Sequence, residues 1–187
     1  MNPRVWCFDL EMNKPSGKII QVGALIGDLR DGRILQTFNH YVNPEEALDP
    51  FIIGLTGITQ VQVDQGSSIS SVKGILGDLV RDLKACRSPI VWGNGDLRTL
   101  KAQGEPGSFQ DTRRELDIKT LHQSYCLANN LSMRGGLAKA MEVHGMAFKG
   151  TQHNALDDAI NTFRLACYLL KLLKAPKIAR PPAIKAG

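Results

Sequence analysis

The 187 residues, 43% hydrophobic and 22% charged, describe one domain with a sizeable core. No apolar run approaches the ~18 residues of a membrane span, and the opening MNPRVWCFDL has no basic segment followed by an apolar one. Membrane insertion and a secretory leader are therefore not expected, and the expected location is the cytoplasm.

In chain order, VWCFDLE (5–11) reads as a first strand, followed by a turn at Pro15-Ser16-Gly17. IIQVGALIGDL (19–29), rich in Ile and Val, is a second strand. ILQTFNHYVNP (34–44) is a third, set off by the hairpin-type dipeptide Asp31-Gly32. Such short links predict an antiparallel meander. LDPFIIGLTGI (48–58) reads as a short helix and loop. SISSVKGILGDLVRDLKAC (68–86) places Val72, Ile75, Leu76, Leu79, Val80 and Leu83 on one face of an amphipathic helix. PIVWGNG (89–95) is a buried strand ending in glycines, and DLRTLKAQ (96–103) begins a helix that Asp96 could cap. GEPGSFQD (104–111) is a loop, and ELDIKTLHQSYC (115–126) is ambiguous between strand and helix. SMRGGLAKAMEVHG (132–145) reads as helical with Gly145 as its stop. ALDDAINTFRLACYLLKLL (155–173) is a strong helix with Ala159, Ile160, Phe163, Ala166, Cys167 and Leu170 on its apolar face.

The last fourteen residues, KAPKIARPPAIKAG, hold Lys174, Lys177, Arg180 and Lys185 and no acid. Removing these four from the 23 basic side chains leaves 19 against 18 acids, so the net charge of +5 falls to +1 on residues 1–173. The chain therefore divides into a nearly neutral body, residues 1–173, and a basic, proline-containing tail, 174–187, expected to be flexible. The tail could touch phosphates, although a solvated end is the plainer reading. Cys7, Cys86, Cys126 and Cys167 form no CxxC pair and read as buried, reduced thiols. The pattern as a whole is that of an α/β domain with a mixed sheet.

Asp9 and Glu11 stand out in the first strand. Side chains alternate faces along a strand, so both carboxylates point the same way, and like charges so close repel unless a cation lies between them. An all-oxygen site favours hard ions such as Mg²⁺ or Mn²⁺. The plainer alternative is an edge strand with both acids in water. Val5, Trp6, Cys7, Phe8 and Leu10 cover both faces and argue for a central strand instead.

GTQHNALDDA (150–159) is a second cluster. On one continuous helix His153 and Asp158 would lie ~140° apart, at 100° per residue. With His153 in the preceding loop and Asn154 as N-cap, Asp157 falls at the third helical position, like the acid of a capping box, and Asp158 has no structural task. A loop histidine suits a general base. His40, His122 and His144 read as surface or packing residues. Asp96 is a third candidate, either a helix cap or a carboxylate at the end of a central strand, where open α/β sheets place their sites.

FDLE, then Asp96 after a strand-glycine turn, then His153 and Asp158 as His-x-x-x-x-Asp together resemble the DEDDh branch of 3′–5′ exonucleases. That group includes RNase T, oligoribonuclease and the proofreading exonuclease of replicative polymerases. GLTGIT (54–59) and GTQHNALDDA are most similar to the RNA-processing members that trim histone-message and small-RNA ends. The resemblance spans residues 5 to about 170, nearly everything except the tail.

It implies an RNase H-like fold, a five-stranded mixed sheet flanked by helices. It implies two Mg²⁺ or Mn²⁺ ions held by Asp9, Glu11, Asp96 and Asp158, with Asp9 shared between them and His153 deprotonating the attacking water. The substrate implied is a single-stranded 3′ end of RNA or DNA, released as 5′-mononucleotides. Met12, Leu55 and Thr56 match positions that line the pocket for the terminal nucleotide, although Leu55 reads equally as core. Trp92 could stack on a base, but a buried strand-end Trp is the plainer reading.

Several relatives are dimers, which leaves a homodimer open. In one departure, Gly95 stands where many relatives carry an aromatic residue directly before the third acid, which removes a possible stacking surface. Two other classes compete with this reading: a nucleic-acid-binding module without activity, and a metal-dependent phosphatase or endonuclease on the same fold. The full set of four acids and His153 argues against the first, and the His153–Asp158 spacing argues against the second.

Overall fold

The computed structural model describes residues 3–106, 109, 112 and 114–173. The basic tail and part of the 104–111 loop lie outside these described residues. Three long strands come first: β1 (Arg4–Met12), β2 (Ile19–Asp28) and β3 (Arg33–Tyr41). They form the expected antiparallel meander, with Asp9 opposite Gly23 and Glu11 opposite Gln21. The sheet then continues on the other side of β1 with two short parallel strands, β4 (Ile90–Val91) and β5 (Leu116–Asp117). The strand order is β3-β2-β1-β4-β5, a five-stranded mixed sheet with β1 at its centre.

Alternation along β1 separates two cores. Trp6, Phe8 and Leu10 pack on one face with Val72 and Leu76 of α3 (Ile69–Asp82) and with Leu97 and Leu100 of α4 (Asp96–Ala102). Val5 and Cys7 face the other side, against Ala159, Phe163 and Ala166 of α7 (Ala155–Leu172). Ile118 of α5 (Ile118–Ala128) and Met141 of α6 (Leu137–Val143) complete that layer. The Cys7 thiol donates to the Ala159 carbonyl at 3.3 Å, which ties strand to helix. Asp9 and Glu11 continue the Val5–Cys7 stripe toward the end of the strand, so they emerge on the α7 side.

Several sequence expectations change. ELDIKTLHQSYC is both strand and helix, because Asp117 ends β5 and caps α5 by accepting from Lys119 N at 2.8 Å. The helix expected over 132–145 is confined to Leu137–Val143. Gly135 at φ 110° breaks the segment before it, while Gly145 at φ 67° stops it as expected. GLTGIT spans the end of α1 (Pro50–Thr56) and the capping-box start of an unforeseen helix, α2 (Gln60–Asp64). Cys7, Cys126 and Cys167 are buried free thiols, but Cys86 is exposed, having only the short segment between α3 and β4 to sit on. His122 and His144 pack as expected, their ring nitrogens 3.0 Å apart in the α5–α7 layer, where burial lowers both pKa values.

Candidate active site

Three separate segments deliver four carboxylates to one end of the sheet. Asp9 and Glu11 come from β1. Asp158 comes from the first turn of α7, and what brings that turn close is the absence of a side chain. A Cβ on Gly23, the β2 partner of Asp9, would lie 2.0 Å from the Leu156 nitrogen. The neighbouring Gln21, buried opposite Glu11, accepts from Ala155 N at 3.1 Å and donates to Asn39 Oδ1 at 2.9 Å. The N-terminus of α7 is thereby fixed against β2, one strand from both acids of β1.

The loop before α7 follows the sequence reading in part. Asn154 caps the helix, accepting from Asp157 N at 3.3 Å. Asp157 does not close a capping box; it accepts instead from Thr151 N at 2.8 Å, because the chain folds back at Gly150 with φ 85°. His153 lies in the loop, exposed, at φ 62°, and its backbone N–H donates to Asp158 Oδ2 at 3.0 Å. Ligand atoms of Glu11, His153 and Asp158 lie within 4.8 Å of one another.

Asp96 differs from expectation in one respect. It does not cap α4: Gly95 takes the cap position and Asp96 is the first helical residue. The carboxylate that satisfies this helix start belongs to Glu115, which accepts from Gly95 N at 2.8 Å and Leu97 N at 3.2 Å. Gly95 sits at φ 120°, a backbone region that an aromatic residue would enter only under strain, which accounts for the glycine before the third acid.

The electrostatics bind the four acids into one unit. Burial raises Asp9 well above the usual carboxylate range, and the charges of Asp96, Asp158 and Glu11 raise it further. Burial, then Asp158 and Asp96, pushes Glu11 up to about 7. Asp96 is pushed up to about 7 by burial and by Glu115. Asp158 is pushed up to about 6 by burial, against a lowering contribution from His153. Clustered carboxylates that resist ionisation, all offering hard oxygen donors, form a set that suits hard divalent cations.

Asp9, Glu11, His153 and Asp158 line a cavity of about 440 Å³, walled by Trp92 and Phe148 among others. Trp92 is thus half-exposed to the site and not simply buried. Phe148, and the start of α6 that also forms this wall, escaped the sequence reading, since nothing local distinguishes them from core residues. Met12, Leu55 and Thr56 do not line the cavity. Met12 is half-buried against the α3-side core, Leu55 is exposed on α1, and Thr56 is buried with its hydroxyl donating to the Ile52 carbonyl. Helix α1, which carries Leu55 and Thr56, is nonetheless tied to the end of β1: buried Asn13 accepts from Asp49 N at 2.8 Å and donates to the Ala47 carbonyl at 3.0 Å.

An exonuclease family model, RNase_T, matches residues 6–166. The chain is 31% identical to a probable 3′–5′ exonuclease, KapD, of Bacillus subtilis over 173 residues, covering 84% of this chain and 80% of that protein. It is 27% identical to the human ERI1 exoribonuclease 2, covering 93% of this chain but only 28% of that longer protein. Among solved structures, the nuclease domain of 3′hExo, a DEDDh family member bound to rAMP, superimposes with a TM-score of 0.77 at 24% identity. That match covers 91% of this chain and 92% of that domain, and at such identity the likeness is one of fold.

The chain belongs to the RNase T-type exonuclease family. It is a 3′–5′ exonuclease, a phosphodiester hydrolase acting on nucleic acid, built on the RNase H-like fold.

Proposed function

We propose that the protein removes nucleotides one at a time from single-stranded 3′ ends of RNA or DNA, with divalent metal ions as cofactors, and releases 5′-mononucleotides. The observation that carries this reading is the convergence of Asp9, Glu11 and Asp158 on one cavity, with the charge of Asp96 close enough to raise Asp9 and Glu11 further. These four carboxylates would hold two Mg²⁺ or Mn²⁺ ions. Such ions, when bound, lower the pKa of water, neutralise the phosphate and stabilise the leaving oxygen.

The remaining roles belong to the chain's own residues. His153, exposed beside the acids and anchored through its backbone to Asp158, accepts a proton from the attacking water at an imidazole nitrogen. A positioned base of this kind contributes on the order of 10²–10⁴-fold. Trp92 and Phe148 exclude water from one wall of the cavity. Met12, the last residue of β1, and Leu55, exposed on α1, would contact the terminal nucleotide outside the cavity, while Thr56, its hydroxyl used within α1, shapes that helix. The relatives named exoribonucleases support RNA as one substrate. Three buried free thiols support a reducing, cytoplasmic setting, and no helix among the described residues is long and apolar enough to cross a membrane.

The test uses 5′-labelled single strands of RNA and DNA, their duplexes and a circular single strand, with Mg²⁺, Mn²⁺ or EDTA. The expected result is a ladder shortening from the 3′ end, absent with EDTA and with Asp9→Ala, and an intact circle. His153→Gly, which tolerates φ 62°, should keep the fold and lose about 10²–10⁴-fold in rate. Cutting of the circle, or full turnover by Asp9→Ala, would sink the proposal.

A further inference from the structure

We propose that Glu115 is a positioning residue for Asp96: it fixes the glycine turn that delivers this carboxylate to the acid cluster. The inference rests on the reading of the cluster given above and concerns a residue that does not line its cavity.

The turn Gly93-Asn94-Gly95 joins β4 to α4. Two of its three residues are glycines at φ 88° and 120°, and a glycine backbone has little intrinsic stiffness. Left alone, such a turn would present the next residue, Asp96, in many orientations. The N–H groups of both glycines, and that of Leu97 just beyond, are instead held by two carboxylates of the neighbouring β5 segment. Gly93 N donates to Asp117 Oδ1 at 2.9 Å, Gly95 N to Glu115 Oε1 at 2.8 Å and Leu97 N to Glu115 Oε2 at 3.2 Å. Each oxygen of Glu115 is thus used, one on either side of Asp96. The sheet sets the reach, since Ile90 pairs with Leu116 and Val91 with Asp117.

The arrangement relieves Asp96 of the capping task it would otherwise have and leaves its carboxylate to the cluster. Asp117 also caps α5 through Lys119 N and Thr120 N, so its loss has a second effect. Glu115 makes neither of those bonds and is the cleaner probe. Outer residues that orient metal-ligating side chains typically affect affinity or activity by about 10–100-fold.

The experiment compares the parent with Glu115→Ala, Glu115→Gln, Asp96→Asn and Ser68→Ala, the last removing the N-cap of α3 on a remote element. Mn²⁺ affinity is read by calorimetry, kcat and KM on a single-stranded oligonucleotide, and Tm by thermal melting. Glu115→Ala should lose about 10–100-fold in Mn²⁺ affinity and in kcat with KM little changed. Its Tm should fall by about 2–4 °C, matched by Ser68→Ala, whose metal affinity and kcat stay at the parent's values. Glu115→Gln, which keeps one of the two acceptor oxygens, should recover part of both losses.

Parent-like Mn²⁺ affinity and kcat in Glu115→Ala, or equal losses in Ser68→Ala, would overturn the inference. If Glu115→Ala does not fold, Glu115→Asp decides, its shortened side chain reaching fewer of the donors. Reduced affinity at unchanged Tm supports the role, and parent-like affinity refutes it. Unimpaired metal binding and turnover in Asp96→Asn would instead overturn the reading of the acid cluster itself. An impaired Asp96→Asn beside an unimpaired Glu115→Ala removes this inference alone.

Discussion

Burial holds the ionised form of Asp96 unfavourably. Its pKa is pushed up to about 7 by burial and Glu115, whereas a carboxylate in the unfolded chain titrates at about 3.9. The folded protein therefore binds more protons between those values. The stability this group contributes is present below pH ~4 and lost as pH rises through ~7. Glu11, at about 7, and Asp158, at about 6, act in the same sense. In EDTA, Asp96→Asn should consequently raise Tm most at pH 8, less at pH 5, and leave it nearly unchanged below pH ~4. Added Mn²⁺ should raise the Tm of the parent at pH 8 and that of the variant much less. A Tm difference independent of pH would show that the carboxylates are not in conflict. Asp9 and Glu11 are legible in the sequence because charge inside an apolar strand is costly unless a cation or a proton offsets it. The cap role expected of Asp96 falls instead to Glu115, which lies 20 residues from Gly95 in the chain, beyond any local spacing rule.

Among elements, the contact of α7 with β2 sets where Asp158 stands. Gly23 has no positive φ and sits in no turn; its side chain is excluded by the helix backbone itself. Gly23→Ala must push α7 outward, at a cost of about 1–3 kcal/mol or more. For a domain of this size each kcal/mol lowers Tm by about 2–4 °C. Turnover should fall more than stability predicts, since Asp158 moves with the helix. Thermal melts and rates measured on the same preparation check this, and a stable variant with parent-like rates would contradict it. The long strands and helices are readable because their apolar periods persist for several turns or pairs. β4 is readable from the apolar run of PIVWGNG, whereas the two-residue β5 carries no period at all. The pairing of Ile90 with Leu116 places the 115–117 segment in the sheet, which no window confined to ELDIKTLHQSYC contains.

Across the whole molecule the sheet is unevenly built. β1, β2 and β3 form a long ladder of nine- and ten-residue strands, with one register shift in each pairing, while β4 meets β1 through the single pair Cys7–Ile90 and meets β5 through two. The family resemblance implies the strand count, but this imbalance follows from the parallel strands' being only two residues long.

The segment that carries Asp96 therefore has the weaker hold on the sheet, while Asp9 and Glu11 sit in its extensively paired half. Protection from amide hydrogen exchange should be low over residues 90–102 and high over residues 19–28, and divalent ions should slow exchange chiefly in the first. If exchange follows that pattern, the enzyme would be disarmed by a local loosening that leaves most of its core intact, and a bound cation would act as the clasp that shuts it.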